Sequence, residues 1–195
     1  TEIKQHKTNF NLWFNYDQIS IEICYIWTYI ATNSIKLHLK NMSVKISPQA
    51  FVHEDAQVGD GVVIEPFAYI GPNVKIGDRT WVGPNANIMD RTTIGADCKI
   101  FPGAVIGAEP QDLKFSNEPT NVVIGNRTVI RECVTIHRAT VDRHNTVVGD
   151  DCLIMAYVHL AHDVHVGNHV ILANAVNVAG HCTVEDWAII EGMVC

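Results

Sequence analysis

The sequence predicts an all-β protein, a parallel β-helix built of hexapeptide repeats from which one or two loops project. The first observation is a period of six: between positions 46 and 190, Ile, Leu or Val occupies 22 of 25 slots spaced six residues apart. Helices repeat near 3.6 residues and strands at 2, so neither alone produces this period. Three hexapeptides form one triangular coil of a β-helix, and the inward aliphatic side chains stack as a continuous core.

The elements follow in order from this register. Each slot lies in a short strand, expected to be two to four residues long, and residues 18 apart lie on neighbouring coils about 4.8 Å apart. The aliphatic slots are Ile46, Val52, Val58, Ile64, Ile70, Ile76, Val82, Ile88, Ile94, Ile100, Ile106, Ile124, Ile130, Ile136, Val148, Ile154, Leu160, Val166, Leu172, Val178, Val184 and Ile190. A second observation is that nine of the 13 glycines come directly after a slot. We expect these glycines at coil corners, where the backbone takes positive φ.

A third observation is that the period breaks in two places without losing phase. Asp112 and Glu118 interrupt it within residues 107–121, and Asp142 interrupts it within residues 139–146. We therefore predict two loops that project from the scaffold. Loops held on a rigid frame are where binding residues tend to lie.

Residues 1–41 do not share the repeat, because all 13 glycines and all seven prolines come after Met42. Lys, Asn, Ile, Tyr and Phe, which have AT-rich codons, make up half of this stretch. We interpret 1–41 as a leader that is disordered or a gene-model artefact; an ordered element and a targeting segment are the alternatives. The apolar run at 19–31 is too short to span a bilayer and contains Glu22, so no stable membrane insertion is expected.

The second predicted unit is the β-helix, residues 42–195. Its repeat runs in phase to Ile190 without the polar cap that closes most solenoids. We therefore expect the natural protein to continue beyond Cys195, and we expect this part of it to be inactive or weakly active by itself.

Composition narrows the class further. The formal net charge is −7 and no basic tract is present, which argues against nucleic-acid binding. The six cysteines contain no C-x-x-C pair. We therefore expect buried free thiols in a reducing cytoplasm rather than a disulfide framework.

The residues able to carry chemistry concentrate after position 136, where seven of the ten histidines lie. Because Leu160 and Val166 point inward, their neighbours His159 and His165 should point outward. His162 followed by Asp163 offers a base and an orienting carboxylate, as in general-base catalysis. The two side chains meet only if the backbone turns between them. Several solvated surface histidines are the alternative.

The 18-residue spacing of the coils adds two neighbours to this pair. It places Gly180 one coil above His162, and it places His181 over Asp163. A backbone N–H at Gly180 could donate to an oxyanion that develops beside the base. Such a group suits acyl transfer to a hydroxyl.

Four stretches of the chain resemble the bacterial acyl-[acyl-carrier-protein]–UDP-N-acetylglucosamine O-acyltransferases, which begin lipid A biosynthesis. They are Ile-Gly-Ala-Glu-Pro-Gln-Asp-Leu-Lys-Phe at 106–115, Ile-Arg-Glu-Cys-Val-Thr-Ile-His-Arg at 130–138, Ala-His-Asp-Val-His-Val-Gly-Asn at 161–168 and Leu-Ala-Asn-Ala-Val-Asn-Val-Ala-Gly-His at 172–181. The resemblance covers about 43–195 and implies a left-handed helix, a cytoplasmic homotrimer, and active sites between neighbouring subunits.

The resemblance also implies roles for single residues. His162 would remove the proton from the sugar 3-hydroxyl, Asp163 would support it, and the Gly180 N–H would stabilise the oxyanion. The hydroxyl would attack the thioester of a 3-hydroxyacyl chain on acyl carrier protein, with no metal or organic cofactor. The positions matched to contacts with UDP-N-acetylglucosamine or the acyl donor are Gln111, Asp112, Lys114, His159 and His181.

Three other functions compete with this one. The related N-acyltransferase is expected to have a further N-terminal domain and an Asn where this chain has Asp163. A zinc enzyme of the carbonic-anhydrase type needs three convergent imidazoles, and His159, His162 and His165 are not expected to converge. The third alternative is an inactive β-helix that serves only as a binding surface.

Overall fold

The computed structural model describes residues 43–193, and the predictions for 1–41 lie outside that range. The described residues fold into 22 strands in three parallel sheets, each strand two to four residues long, as predicted. No helix in this part of the chain is long and apolar enough to cross a bilayer.

The strands of the first sheet, in spatial order, are β1 (Lys45–Ile46), β4 (Val63–Ile64), β7 (Trp81–Val82), β10 (Lys99–Ile100), β13 (Val129–Ile130), β16 (Leu153–Ile154), β19 (Ile171–Leu172) and β22 (Ile189–Ile190). Those of the second sheet are β2 (Phe51–Val52), β5 (Tyr69–Ile70), β8 (Asn87–Ile88), β11 (Val105–Ala108), β14 (Thr135–His137), β17 (His159–Leu160) and β20 (Asn177–Val178). Those of the third sheet are β3 (Gln57–Val58), β6 (Lys75–Ile76), β9 (Thr92–Ile94), β12 (Asn121–Ile124), β15 (Asn145–Val148), β18 (His165–Val166) and β21 (Thr183–Val184).

The register aliphatics form the core, with most of them fully buried. A second set of inward residues lies two positions before most slots and consists of small side chains. It comprises Val62, Ala68, Val74, Thr80, Ala86, Thr92, Cys98, Ala104, Val122, Thr128, Val134, Thr146, Cys152, Val158, Val164, Val170 and Val176, all buried. Large and small side chains therefore alternate inside each coil. At the start of the described stretch burial is incomplete, and Ile46 is 46% exposed.

The prediction that the glycines after each slot need positive φ is wrong for eight of the nine. Among those nine only Gly107 has positive φ. Elsewhere, apart from Asn117 and His144, the left-handed backbone falls three residues after a slot, on residues such as Asn73 and Arg79. Close stacking explains the glycines instead. A Cβ on Gly95 would lie 2.6 Å from the carbonyl oxygen of Gly125 on the next coil.

Polar side chains join successive coils at the corner that follows the third sheet, which we call the third corner. The amide N–H of Asn126 donates to Asp150 Oδ1 at 2.8 Å, that of Asp150 to Asn168 Oδ1 at 2.9 Å, and that of Asn168 to Asp186 Oδ1 at 2.7 Å. These hydrogen bonds give an otherwise unpaired corner N–H a partner on the next coil.

Buried thiols satisfy the glycine carbonyls of the same corner. Cys98 Sγ lies 3.0 Å from the oxygen of Gly125, and Cys152 Sγ lies 3.1 Å from that of Gly167. Burial raises the pKa of both thiols. The four described cysteines are free, as expected, but the prediction that they are buried holds only for Cys98 and Cys152.

Two loops leave the corner that follows the second sheet, as predicted. The long loop comprises residues 109–120 and the short loop residues 138–144. Both are shorter than expected, because β11 extends to Ala108, which pairs with His137 across a bulge. Strands β12 and β15 likewise begin at Asn121 and Asn145, which pair with each other.

Candidate active site

The site is built around His162 and Asp163, at the turn between β17 and β18. Asp163 has a φ of 61°, so the chain turns at this residue and brings its carboxylate back to the preceding imidazole. Nδ1 of His162 lies 2.9 Å from Asp163 Oδ2. The backbone turn that these adjacent side chains need in order to meet is therefore present.

Asp163 is fully buried and is held by the short loop. The Thr140 hydroxyl donates to Oδ2 at 2.7 Å, and the Thr140 and Arg143 amides donate to Oδ1, each at 3.1 Å. Burial would raise the pKa of Asp163, but the hydrogen bonds from Thr140, His162 and Arg143 lower it below its ordinary value. An ionised carboxylate accepts a hydrogen bond from the Nδ1–H group of His162, which leaves Nε2 as the basic atom.

Gly180 lies on the next coil against the ring of His162. A Cβ at this position would be 2.8 Å from Cε1 and 2.9 Å from Nε2 of His162, so a side chain does not fit. The amide N–H of His181 donates to the His162 carbonyl at 3.1 Å, which fixes the two coils against each other. The predicted proximity of Gly180 and His162 is thus confirmed.

His181 lies over the dyad, as its spacing predicted. Its ring meets that of His162 edge to face, with centroids 5.0 Å apart, and its Nε2 is 4.0 Å from Asp163 Oδ2. On the other side its Nδ1 is 3.0 Å from a carboxylate oxygen of Asp142. Asp142, which interrupts the core pattern, therefore contributes to the surface of the site.

A cavity of about 220 Å³ lies between the two loops beside this group. Its lining residues are Asp112, Lys114, Phe115, Glu118, Thr140, Val141, Asp142 and His181. Three of the five predicted substrate-binding residues, Asp112, Lys114 and His181, therefore come together. Gln111 is exposed on the long loop and does not line the cavity.

His159 lies apart from the cavity, on the outer face of the second sheet. Its Nδ1 is 2.8 Å from the Thr135 hydroxyl, and its ring meets that of His137 edge to face at 4.8 Å. His137 is buried, and no hydrogen-bond partner among the described residues reaches its Nδ1. Burial lowers the pKa of His137 to about 4, with smaller contributions from His159 and His162.

The donor atoms of His162, Asp163 and His181 lie within 4.8 Å of one another, which is close enough to consider a metal. The group has two imidazoles, not the three that the zinc alternative requires. Moreover, both oxygens of Asp163 already accept hydrogen bonds from Thr140, and His162 contacts Oδ2. A buried carboxylate so fully hydrogen-bonded is a poor metal ligand, so the arrangement favours proton transfer.

Sequence reasoning missed the residues of the short loop that support the site. Thr140 and Arg143 hold Asp163, while Arg138 is buried and reaches the long loop. The stretch 130–138 resembles a family, but the resemblance assigned no role to Arg138.

Comparisons with known proteins first define the class. A family model described as the GMPPB C-terminal domain matches residues 46–147, just over half of the chain, so the chain belongs to that family of domains. The model of the bacterial transferase hexapeptide, with six repeats, matches residues 145–180. The repeats therefore define a hexapeptide-repeat protein, and its fold is the left-handed parallel β-helix.

Relatives then identify the particular family. An acyl-[acyl-carrier-protein]–UDP-N-acetylglucosamine O-acyltransferase from Ectopseudomonas mendocina is 56% identical over 148 residues, 75% of this chain and 57% of the relative. The structure of a UDP-N-acetylglucosamine acyltransferase from Bacteroides fragilis aligns with a TM-score of 0.74 and 48% identity, covering 75% of this chain and 57% of the other. The corresponding enzyme from Campylobacter jejuni gives a TM-score of 0.73 and 41% identity, covering 76% and 58%.

The chain belongs to the family of acyl-[acyl-carrier-protein]–UDP-N-acetylglucosamine O-acyltransferases. These matches cover three quarters of this chain. The chain itself spans little more than half the length of the same curated relatives.

Proposed function

We propose that the protein transfers a 3-hydroxyacyl chain from acyl carrier protein to the 3-hydroxyl of UDP-N-acetylglucosamine, the first step of lipid A biosynthesis. The observation that carries the proposal is the Asp163 carboxylate held against Nδ1 of His162, with Gly180 of the next coil against the same ring. In this proposal the sugar hydroxyl binds beside Nε2.

In the proposed reaction Nε2 of His162 takes the proton of the sugar hydroxyl as its oxygen attacks the thioester carbon. Asp163 stabilises the imidazolium that forms, and the Gly180 N–H donates to the developing oxyanion. As the intermediate collapses, the C–S bond breaks and the proton passes from His162 to the departing thiolate. Oxygen acylation and thiol release balance without a metal or organic cofactor, because the thioester is already activated.

The cavity between the loops is the proposed site for the nucleotide sugar or the acyl donor. Lys114 supplies a positive charge there, while Asp112 and His181 supply hydrogen-bonding groups. Gln111 and His159 do not line this cavity and remain proposed contacts to parts of the substrates outside it.

The proposed assembly is a cytoplasmic homotrimer with active sites between subunits. Its support is a row of apolar side chains that alternate with core residues on the first sheet, ending in Ile189, which is 69% exposed. Leu113 at the tip of the long loop is fully exposed. Light scattering on the purified protein tests the assembly; a monomer at micromolar concentration would contradict it.

The experiment for the catalytic role is His162→Ala, assayed for acyl transfer to UDP-N-acetylglucosamine. We expect loss of turnover by at least about 100-fold, the contribution of a positioned general base. His169→Ala is the control, since His169 lies in the next turn of the chain, at the third corner, and does not line the cavity. Retention of most of the turnover by His162→Ala would refute the assigned role.

A further inference from the structure

The short loop contacts the long loop through one buried side chain. Arg138 is 7% exposed, and its terminal nitrogen donates to Asn117 Oδ1 at 3.0 Å and lies 3.7 Å from Glu109 Oε1. Its guanidinium also lies over the ring of Phe115, 5.0 Å from the centroid. All three partners belong to the long loop, which carries Asp112 and Lys114 into the cavity.

The contact with Phe115 favours arginine over lysine at this position. A planar guanidinium can stack on an aromatic ring while one terminal nitrogen donates to a neighbouring oxygen. A lysine ammonium presents a compact charge and lacks the planar face that lies over Phe115. The position of the long loop therefore depends on the identity of this residue.

The same loop holds the catalytic pair with different residues. The Thr140 hydroxyl donates to Oδ2 of the buried Asp163 at 2.7 Å. Arg143 donates to the carbonyls of Asp163 at 3.0 Å and His181 at 2.8 Å. These bonds set the spacing of the two coils between which His162 and Gly180 meet.

We propose that the short loop positions both halves of the active site through separate residues. Arg138 sets substrate affinity by holding the long loop, and Thr140 sets the rate of the chemical step by holding Asp163. Both are positioning residues, because neither reaches the reacting atoms. The kinetic part of this inference rests on the proposed function.

The test is a comparison of Arg138→Lys with Thr140→Val. Arg138→Lys is expected to raise KM for UDP-N-acetylglucosamine about tenfold or more, with kcat within threefold and an unchanged pH profile. Thr140→Val is expected to lower kcat about tenfold with KM unchanged. It should also move the acid limb of kcat to higher pH, because a carboxylate with one donor fewer holds the His162 proton more tightly.

Two controls test whether loss of any similar contact has the same effect. Arg131 makes the same kinds of contact at a distant corner, 2.9 Å from Glu132 and 4.5 Å over the ring of Phe101. Thr128 is a buried threonine whose hydroxyl donates to the Gly149 carbonyl at 2.8 Å. Arg131→Lys and Thr128→Val should leave both kinetic constants within twofold.

NMR spectra test the separate roles of Arg138 and Thr140 without a turnover assay. In NMR spectra, Arg138→Lys should shift the amide resonances of 109–120 and leave the His162 Hε1 signal in place, and Thr140→Val should do the reverse. If Arg138→Lys does not fold, Asn117→Gly removes the same hydrogen bond from an exposed residue with positive φ.

If the NMR shifts of the two variants differ as expected but the protein has no transferase activity, the proposed function is wrong. The separate positioning roles of Arg138 and Thr140 in the short loop are then supported. Normal wild-type turnover with both variants changing the same constants, or neither, would overturn the division alone.

Discussion

Gly180→Ala is the sharpest perturbation of the site, because the added methyl points at the catalytic ring. Gly180 does not have positive φ, so alanine is compatible with the backbone there. Its Cβ would lie 2.8 Å from Cε1 and 2.9 Å from Nε2 of His162, where carbon atoms normally pack at about 3.5–4.0 Å. The ring must therefore move by about 1 Å, away from the position that Asp163 sets.

A displacement of about 1 Å in a catalytic group costs roughly 100-fold in rate, or about 2.7 kcal/mol of barrier. We therefore expect kcat for acyl transfer to fall about 100-fold, with the His162 Hε1 resonance shifted and the thermal unfolding midpoint nearly unchanged. Gly71→Ala is the control, since its Cβ would come no closer than 3.1 Å to any atom. A kcat within threefold of wild type, with an unmoved His162 signal, would show that the reasoning is wrong.

Three further predictions concern stability. Gly95→Ala should cost about 1–3 kcal/mol in urea unfolding, more than Gly71→Ala, because its methyl would lie 2.6 Å from backbone; equal costs would contradict the stacking argument. Gly107→Ala should cost about 2–4 kcal/mol, because φ is +89° and the methyl would overlap Thr92 Oγ1; a smaller cost in the same assay would contradict this. For His137, burial lowers the folded-state pKa from 6.5 to about 4, so protonation favours the unfolded state and stability is lost as pH falls from about 6.5 to 4. His137→Phe should remove up to about 3 kcal/mol of that loss, measured as the difference between the two unfolding curves across this range; parallel curves would refute the assignment.

The period of six predicted the fold because it reports directly on burial. Ile88 and Leu160 occupy slots and are fully buried, and the loops fall where the slots hold acidic residues. The smaller inward residues were missed, although a second period of Ala, Val, Thr and Cys was visible two positions before each slot. Residues such as Thr80 and Ala104 carry too little hydrophobic signal to attract attention singly.

The spacing of 18 located part of the site and could not locate the rest. It found Gly180 and His181, because no loop lies between them and the dyad. Thr140 and Arg143 lie 23 and 20 residues before Asp163, since the chain returns to the site through the short loop. The path of a loop depends on its own side-chain contacts, such as those of Arg138. The repeat pattern does not predict these contacts.

The two loops also have lengths that bear on how such a scaffold can be altered. Leu153 pairs with Ile171, three hexapeptides later, which is the spacing of an uninterrupted coil. Lys99 pairs with Val129, five hexapeptides later, and Val129 pairs with Leu153, four hexapeptides later. The insertions are therefore two hexapeptides and one, and both leave from the same edge. Segments exchanged at that edge in whole hexapeptides would keep every later side chain on its own face, so binding specificity could be redesigned without touching the stack.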